Sequence, residues 1–171
     1  MPEQPINVLI LCTGNSARSI LGEVLVNAEG KGKLQGFSAG SQPAGAVNPG
    51  ALRQLKQRGH STDGLRSKSW DEFSGDDAQQ FDIVVTVCDN AAGETCPLWS
   101  GSPVTVHWGI PDPAAVDGSQ DEIDAAFAAA YDTLKIRISE MAVLPLADLG
   151  TDEIRAALDS IARANPAVIA S

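Results

Sequence analysis

Cysteine, positive charge and long apolar runs are all scarce in this sequence, and each scarcity removes a class of protein. Three cysteines in 171 residues cannot build a disulfide scaffold, and the odd count leaves one over from any pair. Their spacing matches no zinc pattern, and neither His60 nor His107 has a cysteine or histidine at ligand distance. No metal is expected, and both histidines read as surface or satisfied core residues. Lysine and arginine number 12 against 22 acidic residues, giving a net charge of −10 with no basic stretch, which argues against nucleic acid or an anionic membrane as partner. An anionic substrate must then be drawn in by local dipoles and one or two cations, against the overall field. No apolar run reaches transmembrane length, and the opening MPEQPINVLI lacks a basic n-region and a small-residue cleavage site. A cytoplasmic chain is expected.

What is present is an ordinary globular composition, 43% hydrophobic and 20% charged, in a chain long enough for one domain with a real core. INVLILC (6–12), GFSAG (36–40), FDIVVTVC (81–88) and PVTVHW (103–108) read as strands. ARSILGEVLVNAEG (17–30) and AVNPGALRQLKQRG (46–59) read as helices, the second with Pro49 in its first turn and Gly59 past its end. Apolar residues from Asp121 to Met141 fall at helix spacing. ADLGTDEIRAALDSIARANP adds a last helix, with Thr151 as its expected N-cap and Asp152 and Glu153 complementing the dipole. This alternation predicts an α/β fold: a four-stranded parallel open sheet with helices on both faces. Active sites in such sheets lie beyond the carboxyl ends of the strands, where Cys12, Cys88 and the segment GIPDPAA fall together.

LILCTGNSARSI (9–20) carries the chemistry. A buried strand runs into Cys12, a loop of small and polar residues follows, and then the helix over 17–30 opens. In that turn the N–H groups of Thr13, Gly14, Asn15, Ser16, Ala17 and Arg18 form a concave cradle of partial positive charge. Gly14 and Asn15 tolerate the positive φ that such a nest needs. Arg18 can offer two donors to a tetrahedral oxyanion. The helix dipole lowers the thiol pKa of Cys12, and Ser19 can donate a hydrogen bond to the thiolate. Cys12 is therefore read as a nucleophile. Neither a Walker loop nor G-x-G-x-x-G is present, so a nucleotide is not the expected ligand. Cys88 alone could be a buried strand residue. Cys96, in the polar stretch DNAAGETCP, reads as an accessible thiol. Asp112, between two prolines, could simply shape a turn.

CTGNSARS resembles the active-site loop of the low-molecular-weight protein tyrosine phosphatase superfamily, and GIPDPAA its Asp-Pro loop. The resemblance covers about residues 6 to 142 of a single domain over 1–171, with a helical extension over about 151–164. Within that superfamily the chain is most similar to the arsenate reductases. Ala17 stands where the phosphatases usually carry a second cysteine. Ala114 and Ala115 stand where aromatic residues would grip a phosphotyrosine ring. VTVCDNAAGETCP resembles the redox-cysteine segment of arsenate reductases. The resemblance implies Cys12 attacking arsenate, for which phosphate or sulfate are mimics, and Asp112 as general acid. It implies a second thiol, Cys88 or a small thiol such as glutathione, that resolves the intermediate, with Cys96 carrying the oxidation outward. A continuous helix would separate Cys88 and Cys96 by about 12 Å, so their pairing requires the segment to loop. No bound cofactor is implied. The partner is an external reductant, thioredoxin, or glutaredoxin with glutathione or a similar thiol, acting on a monomer. In RSKSWDEF, Lys68 falls where some arsenate reductases place a carboxylate near a potassium ion, so an ammonium is expected to replace the ion. The rival readings are a phosphatase, in which water attacks a phospho-Cys12, and a non-catalytic module that binds oxyanions or senses oxidants.

Overall fold

In the strand 6–12 every residue after Asn7 is apolar, so it can only be stable with both faces covered, and it runs through the middle of the sheet. The computed structural model describes residues 4–73, 80–87 and 103–167. Four parallel strands, β1 (Ile6–Cys12), β2 (Leu34–Gly40), β3 (Ile83–Thr86) and β4 (Val104–His107), lie in the order β2-β1-β3-β4. β1 pairs with β2 from Ile6↔Leu34 to Cys12↔Gly40, and with β3 from Val8↔Ile83 to Leu11↔Thr86. The two-residue alternation of a strand splits β1 between two cores. Val8, Ile10 and Cys12 join the larger one. Leu9 and Leu11 join a smaller one with Ala39, Phe81 and Val84, flanked by Phe37, Trp70 and Phe73.

The described helices are α1 (Arg18–Gly30), α2 (Pro49–Gln57), α3 (Gln120–Ala142) and α4 (Thr151–Ala164). α1 packs on β1, β2 and α3, α2 packs on α3, and α4 packs on β4 and α3. Pro49 opens α2 behind an Asn48 cap whose side chain accepts from the Gly50 N–H at 2.8 Å. Two expectations need correction. The ladder of β3 ends at Thr86 rather than running over 81–88, although Val87 still donates to the Leu11 carbonyl at 2.9 Å. The N-cap of α4 is Gly150, not Thr151. Thr151 is already helical, and Glu153 reaches back to accept the Gly150 N–H at 3.4 Å. Among the described residues, no helix is long and apolar enough to cross a membrane.

Candidate active site

Cys12 ends β1 at 6% exposure, level with Gly40 of β2, and the chain turns through residues 13–17 into α1. The loop is held from outside by its carbonyls. Thr13 O accepts from Gln42 N at 2.9 Å, Gly14 O from Ala44 N at 2.9 Å, and Ser16 O from Asn48 N at 2.8 Å. A trans peptide points its N–H opposite to its C=O, so the N–H groups of Gly14, Asn15 and Ala17 are turned inward. Ala17 provides no side-chain cap and the first turn of α1 holds no acidic residue. The positive end of the helix is thus left for an external anion.

Two residues make this turn possible. Asn15, fully buried, adopts the left-handed region at φ 45°. Its amide donates to Ser19 Oγ at 2.8 Å, and its oxygen accepts from the Lys68 N–H at 2.9 Å. Ser19 is therefore an acceptor for Asn15, with its own hydrogen left to donate. Gly14, by contrast, keeps a negative φ, and a side chain there would meet Ser16 Oγ at an ordinary 3.6 Å, so only Asn15 supplies the strained turn expected of both. Gly40 is the second. A Cβ there would lie 2.4 Å from Thr13 O and 2.8 Å from Cys12 O, so any larger residue would push the loop off the sheet. Sequence reasoning did not single out Gly40. The only signal was a glycine at the carboxyl end of the strand beside Cys12.

Under the loop, the Lys68 ammonium, 9% exposed, donates to Arg66 O at 3.1 Å, Ser38 Oγ at 3.3 Å and Glu23 Oε1 at 3.4 Å. Ser38 Oγ also donates to Glu23 at 2.6 Å. Burial lowers the lysine pKa, and the Glu23 carboxylate opposes that shift. Lys68 thus braces the loop through its main-chain N–H on Asn15, and its ammonium ties α1 to β2 through Glu23 and Ser38, while Ser67 Oγ donates to Gly14 O at 3.0 Å.

Over the cradle, Arg18 Nη1 donates to the Ile110 carbonyl at 3.0 Å, and Nη2 lies 3.6 Å from Asp112 Oδ2. Its Nε–H is buried without a partner among the described residues, a donor waiting for an acceptor. Asp112 does two things. Its Oδ1 accepts from Ala114 N at 3.0 Å and caps the 3-10 turn Pro113–Ala115, as the turn reading requires. Its Oδ2 faces Arg18, and the residue is exposed, as are Ala114 and Ala115. Cys88 and Cys96 lie outside the described residues. Of the histidines, His60 Nε2 bonds Tyr131 Oη at 2.6 Å and His107 Nδ1 bonds Thr86 Oγ1 at 2.8 Å. Among the described residues no cluster of His, Cys, Asp and Glu could hold a metal.

The chain matches the family model described as low molecular weight phosphotyrosine protein phosphatase over residues 7–154. It is 36% identical over 141 residues to an arsenate reductase of Halalkalibacterium halodurans, covering 79% of this chain and 94% of that one. Among solved structures, an arsenate reductase from Archaeoglobus fulgidus superposes with a TM-score of 0.62 at 29% identity, covering 79% of this chain and 98% of that one. A thioredoxin-dependent arsenate reductase of Corynebacterium glutamicum shares the fold with a TM-score of 0.56 at 24% identity, over 79% of this chain and 61% of that one.

Proposed function

The chain belongs to the low molecular weight phosphotyrosine protein phosphatase family, and we propose that within it the protein is an arsenate reductase with Cys12 as nucleophile. The observation that carries the site assignment is the combination of inward N–H groups, an uncapped helix start and the unpartnered Arg18 Nε around one cysteine. Every one of these groups donates, and a tetrahedral oxyanion accepts. The Cys12 thiolate attacks arsenic, the N–H groups of residues 13 to 18 and Arg18 hold the remaining oxygens, and Asp112 protonates the oxygen that leaves as water. The product is a Cys12–sulfur–arsenic bond with arsenic still pentavalent.

A second thiolate then attacks the Cys12 sulfur. The electron pair of the sulfur–arsenic bond goes to arsenic, which leaves as trivalent arsenite, and the two sulfurs are left joined as a disulfide. Cys88 is assigned this step. Support comes from the sheet: β3 lies beside β1, and Val87, the residue before Cys88, bonds Leu11, the residue before Cys12. Cys96 takes over the bond to Cys88, and an external dithiol returns the protein to its reduced form by exchange. Thioredoxin, or glutaredoxin with a small thiol, fits that role. Lys68 is assigned the place of a bound monovalent cation, so potassium in place of sodium should leave activity and melting temperature unchanged.

The phosphatase reading uses the same cradle, with water attacking a phospho-Cys12. Against it stand Ala114 and Ala115, two methyl groups at the rim after Asp112 and Pro113, which offer no wall for an aromatic ring. The deciding experiment is reconstitution with each reductant system in turn, beside p-nitrophenyl phosphate turnover. Arsenate-dependent consumption of reducing equivalents well above phosphate hydrolysis is the expected result. Hydrolysis without arsenate reduction would return the chain to the phosphatases, and neither activity would leave an oxyanion-binding or redox-sensing module.

A further inference from the structure

The family match ends at residue 154, inside α4, so most of that helix belongs to this chain's own extension. The extension is tied to the segment that carries Asp112. Trp108 immediately follows β4 and is fully buried, and its indole N–H donates to the Leu158 carbonyl of α4 at 2.9 Å. Arg137 of α3, 3% exposed, donates through Nη1 to the Trp108 carbonyl at 3.2 Å and through Nε to the carbonyl of Asn165, the C-cap of α4, at 3.0 Å. Its guanidinium pairs with no carboxylate among the described residues. Two main-chain carbonyls compensate its burial, one of them at the negative end of the α4 dipole. Leu158 and Ile161 are buried in the main core from the same helix.

Trp108 is two residues from Ile110 and four from Asp112. Ile110 N–H bonds Val87 O at 3.1 Å, and Ile110 O accepts from Arg18 Nη1 at 3.0 Å. The contacts therefore run without a gap from the α4 backbone, through Trp108 and Arg137, to the peptide that fixes Arg18 and presents Asp112. We propose that α4 is a clamp on the acid loop, with Trp108 and Arg137 as positioning residues that hold the Asp112 carboxyl over the oxyanion site. The proposal rests on the reading of Asp112 as general acid. An acid acts only within hydrogen-bond reach of its target, and a misplacement of about 1 Å can cost up to about 100-fold in rate.

The test is a double-mutant cycle. Trp108→Phe keeps an aromatic ring but removes the N–H and part of the buried indole volume, Arg137→Met keeps the bulk and removes the donors, and each is combined with Asp112→Asn. Read-outs are kcat/KM for arsenate, the inhibition constant for phosphate, and folding by circular dichroism. Asp112→Asn should lower kcat/KM about 100-fold. Trp108→Phe and Arg137→Met should each lower it about fivefold to tenfold, with the phosphate constant changing by less than the rate, because the main-chain N–H groups of the cradle are untouched and only Arg18, held by Ile110 O, can follow the loop. In the Asp112→Asn background both should have no further effect. If a folded single variant of either residue keeps full kcat/KM, or if the losses multiply in the double variants, the clamp is wrong while the acid reading stands. If Asp112→Asn keeps full activity, the acid reading fails and the clamp falls with it. Should Trp108→Phe fail to fold, the Arg137→Met cycle decides alone.

Discussion

Helix α3 starts with its free N–H groups provided for: Ser119 accepts the Glu122 N–H at 3.2 Å, and Asp121 and Glu122 stand in the first turn. Helix α1 starts with neither cap nor acid, and its first residue is a cation, Arg18. Acids at such a position are worth about 0.3–1 kcal/mol each and a cation is unfavourable there by a similar amount, so α1 forgoes stability that the same chain collects at α3 and α4. Nothing local compels this. The loop before α1 is anchored outside by three carbonyls and by the Lys68 N–H on the Asn15 side chain, with the N–H groups of Gly14, Asn15 and Ala17 turned inward. On the reading proposed above, this uncapped start in a well-packed place is where an oxyanion completes the helix.

Cys12→Ser should abolish arsenate reduction and any phosphate hydrolysis, because a hydroxyl has no comparable anion near neutral pH. The cradle is main chain and Arg18, so this variant should still bind phosphate, and saturating phosphate at about 100 times its dissociation constant should raise unfolding free energy by about 2.7 kcal/mol. Turnover by Cys12→Ser would end the mechanism. Stabilisation lost along with turnover would show that the thiol, not the helix start, made the site. Arg18→Lys keeps the charge and loses the fork, and with it about 1.5–3 kcal/mol of charge-assisted hydrogen bonding. Phosphate affinity and kcat/KM should both fall by about tenfold to 100-fold, read by inhibition and steady-state kinetics.

Part of this was legible in the sequence because it is local. An apolar run ending in Cys12, a Gly-Asn turn and a helix starting at Arg18 specify strand, nest and dipole within a dozen residues. The β1–β3 adjacency followed from the fold class. What escaped depends on long separations. Nothing near Asn15 announces that Lys68, 53 residues away, pins its side chain, or that Gly40 is small because Thr13 O lies against it. The α4 cap slipped by one residue because glycine and threonine both suit the position and only the tertiary path chooses. Nothing in the sequence singles out Trp108 or Arg137, because their partners are main-chain carbonyls that carry no sequence signal.

Lys68→Met tests the buried ammonium that joins Glu23 of α1 and Ser38 of β2. It leaves the Glu23 carboxylate, bonded to Ser38, without its cation in a mostly buried place, which should cost about 3 kcal/mol by urea unfolding. Burial lowers the folded pKa of Lys68, so between that value and the ordinary lysine value near 10.4 the unfolded chain holds more protons. Stability from this group therefore rises with pH in that alkaline window. The margin of the native protein over Lys68→Met should widen as pH rises toward the ordinary lysine value. A margin that narrows would reverse the sign argued here.

The smallest effect belongs to the other side of the comparison. Ser119→Ala takes from α3 what α1 never had. Losing the hydroxyl that accepts the Glu122 N–H should cost about 1 kcal/mol, because a Ser cap replaced by Ala typically costs that much. Asp121 and Glu122 remain, so the dipole is still partly met and the helix should fray only in its exposed first turn. Arg137, the α3 residue tied to the acid loop through Trp108, lies 17 positions further on, beyond the reach of that fraying. Arsenate kcat/KM and phosphate inhibition should therefore stay within twofold while the urea midpoint falls. A loss of activity larger than the loss of stability explains would mean that α3, which packs on the turn after Asp112, also holds the acid in place through its first turn. Unchanged activity would leave the two helix starts with separate tasks, one holding the fold together and the other holding an anion.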